Sequence, residues 1–211
     1  MHRSAPPPAA PPLVVIVDDD PSVRTSLDSL LRSVGLQTRL YAAPGELGAQ
    51  PLPDVPGCIV LDVRLQGVSG LDVQAQLAAQ GVALPVVFMT GHGDIPMTVK
   101  AMKAGAVDFL AKPFRDQDML DAVTAAIERD RQRRQSDGAL DGVRAHYATL
   151  TSREREVMAL VVSGLMNKQV AAELQLSEIT VKIHRGNVMR KMGVRSLAEL
   201  VRQAEALGIG H

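Results

Sequence analysis

Two periods of hydrophobic patterning alternate along the first two thirds of the chain. Short apolar runs, "LVVIV" (13–17), "LQTRLY" (36–41), "CIVL" (58–61), "LPVVFM" (84–89) and "AVDFL" (106–110), predict five strands. Four of the five are nearly continuous, as parallel strands covered on both faces should be. Between the first two, Val23, Leu27, Leu30, Leu31 and Val34 recur at i, i+4, i+7, i+8 and i+11, one face of a helix. Pro21 suits its first turn and Gly35 its end. Further helices are expected near 70–79, 95–103 and 116–132. A β-α repeat of this kind predicts a doubly wound parallel sheet with its site at the carboxyl ends of the strands, and the order taken for it is 2-1-3-4-5.

The pattern changes after residue 128. "ERDRQRRQSDGALDGVRAH" (128–146) is charged and poor in large apolar residues, so 129–148 reads as a solvated helical extension followed by a linker. Residues 149–211 carry helical periods only. Thr151 followed by Glu154 is a capping box for the helix "SREREVMALVVSG", which should stop at Gly164. A short helix (167–174), a "QLS" connection, a longer helix (178–192) with Ser177 as its N-cap, and a last helix from Ser196 to about Leu207 follow. Two helices so closely joined predict a helix-turn-helix. Five prolines among residues 6–12 mark residues 1–12 as a disordered leader.

With 46% apolar and 22% charged residues the chain has the composition of a folded protein. Its five aromatics, Tyr41, Phe88, Phe109, Phe114 and Tyr147, argue against an aromatic-lined ligand pocket. The single cysteine, Cys58, sits in an apolar run and reads as a buried thiol in a reducing compartment, the cytoplasm. No secretory segment or membrane span is expected, because "LVVIV" meets three acids after five residues. The 23 basic and 23 acidic residues cancel, and taken whole that balance argues against a nucleic-acid coat. The cancellation is between segments: residues 13–128 hold 8 bases and 14 acids, and residues 149–211 hold 9 bases and 6 acids.

Asp18, Asp19 and Asp20 follow the first strand and Asp62 follows the third, two neighbouring strand ends at the topological switch point. Crowded carboxylates repel unless a cation relieves them, and an all-oxygen set with few protein ligands suits Mg²⁺. Thr90 ends the fourth strand and Lys112 follows the fifth, so a hydroxyl and an ammonium join the same rim and suit a phosphoryl group on Asp62. A lone Asp after a strand is usually a turn former or cap, and Asp20 before Pro21 reads as one. The order DD…D…T…KP, each part after its own strand, carries the functional reading.

Through "VIVDDD", "CIVLDVRLQGVSG", "VVFMTGHGD" and "AMKAGAVDFLAKPF", roughly residues 13–132 resemble the CheY-like receiver domain of two-component response regulators, the domain itself being expected over 13–128. The resemblance implies that Asp62 takes a phosphoryl group from a sensor histidine kinase. It also implies that Asp18, Asp19, Asp62 and the backbone carbonyl of Arg64 hold Mg²⁺, that Thr90 and Phe109 switch, and that Lys112–Pro113 is cis. Gln66 stands where the family usually has proline, and Arg64 and His92 flank the pocket, which bears on autodephosphorylation.

At about 100° per residue, Val181, His184, Val188 and Met192 share one face of the helix 178–192. Opposite lie Lys182, Ile183, Gly186 and Arg190, flanked by Arg185 and Asn187. Such a stripe suits a major-groove reader, although charges alone also fit a solvated face. Residues 149–211 resemble the four-helix LuxR/FixJ/NarL-type DNA-binding domain through "LTSREREVMALVVSGLMNKQVAAELQLSEITVKIHRGNVMRKMGVRS". That implies base contacts from Lys182, Ile183 and Gly186, and phosphate contacts from Lys168, Thr180, Arg185, Asn187 and Lys191. His184 reads as a packing residue.

The order receiver, linker, helix-turn-helix predicts a transcription regulator that is no enzyme beyond its own phosphorylation and dephosphorylation. Phosphorylation of Asp62 is expected to reposition Thr90 and Phe109 and change the surface around the fourth helix and fifth strand, which would then dimerise or release the DNA-binding domain; a homodimer on double-stranded DNA, with RNA polymerase as a further partner, is expected. The modest positive charge of residues 149–211 implies that dimerisation supplies much of the affinity. Two rivals stand beside this reading. An aspartyl-phosphate phosphatase would use a similar rim but needs a substrate cap, and a ligand-sensing regulator needs a pocket.

Overall fold

The computed structural model describes residues 10–48, 51–65, 67–91 and 95–209. Most of the leader, along with Gln66 and His92, lies outside the described residues. Strand β1 (Leu13–Val17) is buried along its whole length. Helix α1 (Pro21–Ser33) starts at Asp20, whose side chain accepts the Ser22 N–H at 2.8 Å, and Pro21 fills the first turn, where no N–H is needed. Strand β2 (Gln37–Tyr41), a 3-10 turn at Pro44–Gly48, and strand β3 (Gly57–Asp62) follow. Two-residue strands β4 (Arg64–Leu65) and β5 (Val68–Ser69) pair as an antiparallel ribbon. Then come α2 (Gly70–Ala79), β6 (Val86–Thr90), α3 (Ile95–Lys103) and β7 (Asp108–Ala111).

The main sheet is parallel throughout, in the order β2-β1-β3-β6-β7, which is 2-1-3-4-5 once the small ribbon is set aside. Asp62 is the last residue of β3, not the residue after it. Strand β6 begins at Val86 and not at Leu84, since Pro85 has no N–H to give the ladder and only its carbonyl accepts, from Ile59. Alternate residues face opposite layers. Leu13, Val15, Val17, Ile59, Leu61 and Phe88 share one core with Val73 and Leu77. Val14, Ile16, Cys58, Val60, Val87 and Met89 share the other with Leu27, Leu31, Met119 and Val123. Filling both layers explains why the strand sequences lack alternation. Val34 departs from the expected face: it caps α1 and is 52% exposed.

Helix α4 (Asp116–Ala148) corrects the expected end near 132 and the linker after it: the helix runs unbroken for 33 residues. Residues 129–148 contain no proline, and pairs at helical spacing support it, Arg131–Glu128, Arg133–Asp130 and Arg144–Asp141. Nor is the extension solvated at its start, because Asp130 is fully buried. Two compact units divide inside this helix, after Arg134. The division replaces the expected boundary at 128, since Asp130, Arg133 and Arg134 bond within the first unit.

In the second unit, Val143 and Tyr147 pack on a core built from Leu150, Val157, Met158, Val161, Val170, Val181, Val188, Met192 and Leu200. Its further helices are α5 (Ser152–Val162), α6 (Asn167–Leu174), α7 (Glu178–Lys191) and α8 (Leu197–Ala206). The capping box is present: Thr151 Oγ1 accepts the Glu154 N–H at 3.2 Å, and Glu154 Oε2 accepts the Thr151 N–H at 2.8 Å. The turn from α6 to α7 is made by Gln175, in the left-handed region at φ 55°, and by Ser177, whose hydroxyl caps Thr180 at 3.1 Å.

Candidate functional site

The carboxyl ends of β1, β3, β6 and β7 bring the predicted acidic site together. Asp18 is fully buried, Asp62 is buried and Asp19 is half-buried, and one oxygen from each lies within 4.8 Å of the other two. Lys112 spans the cluster, with Nζ donating to Asp18 Oδ2 at 2.6 Å and to Asp62 Oδ2 at 2.8 Å. Its backbone is tied to the neighbouring strand, the Lys112 N–H donating to the Thr90 carbonyl at 2.7 Å; the Lys112–Pro113 peptide is cis. Thr90, also fully buried, ends the strand beside Asp62.

Burial pushes the Asp18 carboxyl above its ordinary range, although the Lys112 ammonium and the Asp20 N–H, donating at 2.8 Å, pull the other way. Burial would depress the Lys112 ammonium, but its bonds to Asp18 and Asp62 outweigh that and hold its pKa above the ordinary lysine value. The cluster therefore keeps one cation among three acids. All three acids offer oxygen, the donor set that suits a hard divalent cation such as Mg²⁺.

Arg64 lies in the β4–β5 ribbon, its side chain exposed and its N–H donating to Asp62 Oδ1 at 2.9 Å. Phe109 is half-buried on β7, its ring centroid 6.4 Å from that of Phe88. Two residues that sequence reasoning missed shape the site. Arg24 Nη1 donates to the Asp18 carbonyl at 2.6 Å, and the absent side chain of Gly70 makes room for the Asp62 backbone. The Arg24 bond crosses the first turn of α1, a local geometry with no motif to announce it.

In the second unit, α7 turns Val181, Val188 and Met192 inward and half-buries His184. Lys182, Ile183, Gly186 and Arg190 are exposed on the opposite side, and Lys168 is exposed on α6. The half-buried residues at the flanks are tied locally. Arg185 Nη1 donates to Asn167 Oδ1 at 3.0 Å, Asn187 Oδ1 accepts from Arg190 Nη2 at 2.9 Å, and Thr180 shares a hydrogen bond with Ser177 at 2.8 Å. Lys191, half-buried, donates within the unit to Glu154 and to the Thr149 carbonyl.

Residues 14–124 match the family described as response regulator receiver domain, and residues 148–204 match the bacterial regulatory proteins of the luxR family. The chain is a response regulator. It is 58% identical over 190 residues to Nodulation protein W of Bradyrhizobium diazoefficiens, covering 90% of this chain and 84% of the relative. It is 45% identical over 188 residues to the response regulator protein TodT of Pseudomonas putida, covering 89% of this chain and 83% of the relative. Among solved structures, the response regulator StyR superposes with a TM-score of 0.81 at 47% identity, covering 93% of this chain and 99% of that one. Among the described residues, no helix of this response regulator is long and apolar enough to cross a membrane.

Proposed function

We propose that this response regulator accepts a phosphoryl group on Asp62 from a sensor histidine kinase and that the modification controls its pairing on DNA. The carrying observation is the buried Asp18–Lys112–Asp62 bridge, which holds the acceptor carboxylate beside a fixed cation. A carboxylate oxygen of Asp62 attacks the phosphorus of the kinase phosphohistidine; the P–O bond forms as the P–N bond breaks, and the imidazole retains the electron pair. Lys112 and the Thr90 hydroxyl are placed to hold phosphoryl oxygens. Asp18, Asp19, Asp62 and the backbone carbonyl of Arg64 would hold Mg²⁺. When bound, that ion supplies charge neutralisation of the phosphoryl oxygens.

Repositioning of Thr90 and Phe109 then alters the surface beside β7. Helix α3 contributes an apolar stripe there, with Ile95, Val99 and Met102 exposed at i, i+4 and i+7, chemistry suited to a second copy of the chain. Two copies would present two α7 helices to paired half-sites in double-stranded DNA, with contacts to RNA polymerase following from binding beside a promoter. The phosphatase rival is disfavoured by the short connections after the strands, and the ligand-sensing rival by the receiver and luxR-type matches.

Intact mass spectrometry after incubation with acetyl phosphate and Mg²⁺ tests the assignment. The wild-type chain should gain one phosphoryl group and Asp62→Asn none; a gain on Asp62→Asn would overturn the role of Asp62.

A further inference from the structure

A cleft of about 550 Å³, a size that holds a small organic molecule, lies between α2, the start of β6, the turn before β7 and helix α4. It sits at the amino ends of the strands, the rim opposite Asp62, and every residue lining it belongs to the first unit. Its wall is apolar, with Leu71 and Leu77 of α2 facing Val82, Leu84 and Val86 at the approach to β6. Small exposed residues leave its mouth open, Ala75 and Ala78 on α2 and the Ala104–Gly105 turn after α3. Among the described residues the lining holds two arginines and no acid. Arg133 is committed to Asp130, donating to Oδ1 at 2.6 Å. Arg129 is not: it is exposed, and its Nη1 reaches the Gly105 carbonyl at 3.5 Å, longer than a good hydrogen bond. No carboxylate among the described residues pairs with it. Lys103, exposed just before Ala104, adds a second positive charge on that side.

We infer that this cleft binds a small aliphatic carboxylate. The hydrocarbon part covers the leucine and valine wall, and the carboxylate meets Arg129, whose forked N–H groups match two carboxylate oxygens. An apolar cleft with a cation and no acid in its lining suits such a molecule on both counts: a cation would be repelled, and a neutral hydrocarbon would leave the guanidinium without its match. The lining is aliphatic, which fits a saturated chain as well as the scarcity of aromatics in the sequence. The site adds a second input to the first unit, alongside the acidic rim and at the other end of the sheet. It depends on neither the phosphorylation nor the DNA reading.

Full-length protein labelled at leucine and valine methyl groups is titrated with sodium octanoate and followed by NMR. Saturable shifts should be confined to the cleft wall, with a Kd of about 0.1–1 mM, ordinary for so few ligand atoms. Octanamide, the same chain without the charge, should bind about tenfold more weakly. Arg129→Met, which retains helix propensity, should weaken octanoate about tenfold and leave octanamide unchanged. Ala78→Leu, at an exposed helical position, should fill the mouth and block both probes, and it tests the site by itself if Arg129→Met does not fold. Arg131→Met, outside the lining and paired with Glu128, should bind octanoate as the wild type does. No saturation by about 10 mM overturns the assignment. So does equal octanoate affinity in wild type, Arg129→Met and Ala78→Leu, and so do shifts spread over both units, the mark of a detergent-like effect. Equal binding of octanoate and octanamide overturns the role of Arg129.

Discussion

Lys191 Nζ lies 2.6 Å from Glu154 Oε2, joining the end of α7 to the first turn of α5. The same carboxylate oxygen accepts the Thr151 N–H at 2.8 Å, so one buried acid both caps α5 and anchors α7. Lys191 also donates to the Thr149 carbonyl at 3.1 Å. Lys191, which the family resemblance places near phosphate, thus also ties α7 to its own unit.

Replacing Lys191 with methionine should destabilise the second unit by about 1–3 kcal/mol, the cost of leaving a buried acceptor short of its donor. Hydrogen exchange of α5 and α7 amides in the full chain reads the effect. The bond from Lys191, aided by the Thr151 N–H, holds Glu154 below its ordinary pKa of 4.5. A depressed carboxyl contributes stability that is complete above its unfolded pKa and lost as pH falls through its folded pKa. The gap between wild type and Lys191→Met should accordingly be full at neutral pH and shrink below about pH 4.5. A gap that stays constant into acid would refute the pairing as its source.

Asp130 should be the most costly acid to remove from the first unit. It is fully buried, and Oδ2 accepts the Gly57 N–H at 3.0 Å and Arg134 Nε at 2.7 Å while Oδ1 accepts Arg133 Nη2 at 2.6 Å. Burial would raise its pKa, yet the two guanidinium groups and the Gly57 N–H hold it below the ordinary value. Asp130→Ala removes the acceptor of the Gly57 N–H and one partner of each guanidinium group, and should cost about 2–4 kcal/mol. Asp130→Asn, which retains an acceptor, should cost less. Urea denaturation of both variants measures the order, and equal costs would show that the charge alone matters.

The acidic rim was legible in sequence because each of its members ends or follows an apolar run, and such runs become strands. The doubly wound parallel sheet followed from the same repeat. The Asp130 network was not legible: its partner Gly57 is 73 positions away, and a polar stretch reads as solvated unless a long-range contact is known. The Lys191–Glu154 bond was not legible for the same reason, its partner lying 37 positions upstream. The continuous helix α4 was missed for a different reason. Charged residues with good helix propensity look like a linker when only apolar periodicity is counted.

Cys58 should be silent toward alkylating reagents in the folded protein. Burial, with a smaller contribution from the negative charge of Asp130, pushes its thiol up to about 12, so almost no thiolate exists at neutral pH. Iodoacetamide labelling at pH 7.5 should then proceed only through opening of the first unit, and Asp130→Ala should accelerate it by lowering the cost of that opening. Rapid labelling of native wild type would contradict the buried placement between Val14 and Val60.

Gly70 should set the rate of the phosphorylation proposed for Asp62 without touching the phosphoryl group. A Cβ built on it would stand 2.4 Å from the Asp62 carbonyl oxygen and 3.0 Å from Val63 Cα, both backbone atoms that cannot rotate away. The Gly70 N–H donates to the Val63 carbonyl at 2.8 Å, so the start of α2 and the end of β3 are locked at close approach. Gly70→Ala must separate them, and the shift passes directly to Asp62 and its 2.8 Å contact with Lys112. Overpacking of this kind costs about 1–3 kcal/mol, which leaves a folded chain. A displacement near 1 Å in a reacting group is worth about 100-fold in rate, so phosphorylation by acetyl phosphate should slow by at least about tenfold. Gly45→Ala serves as the control, because a Cβ there meets nothing within 4 Å. Wild-type rates in both variants would mean that the β3–α2 approach does not set the position of the acceptor.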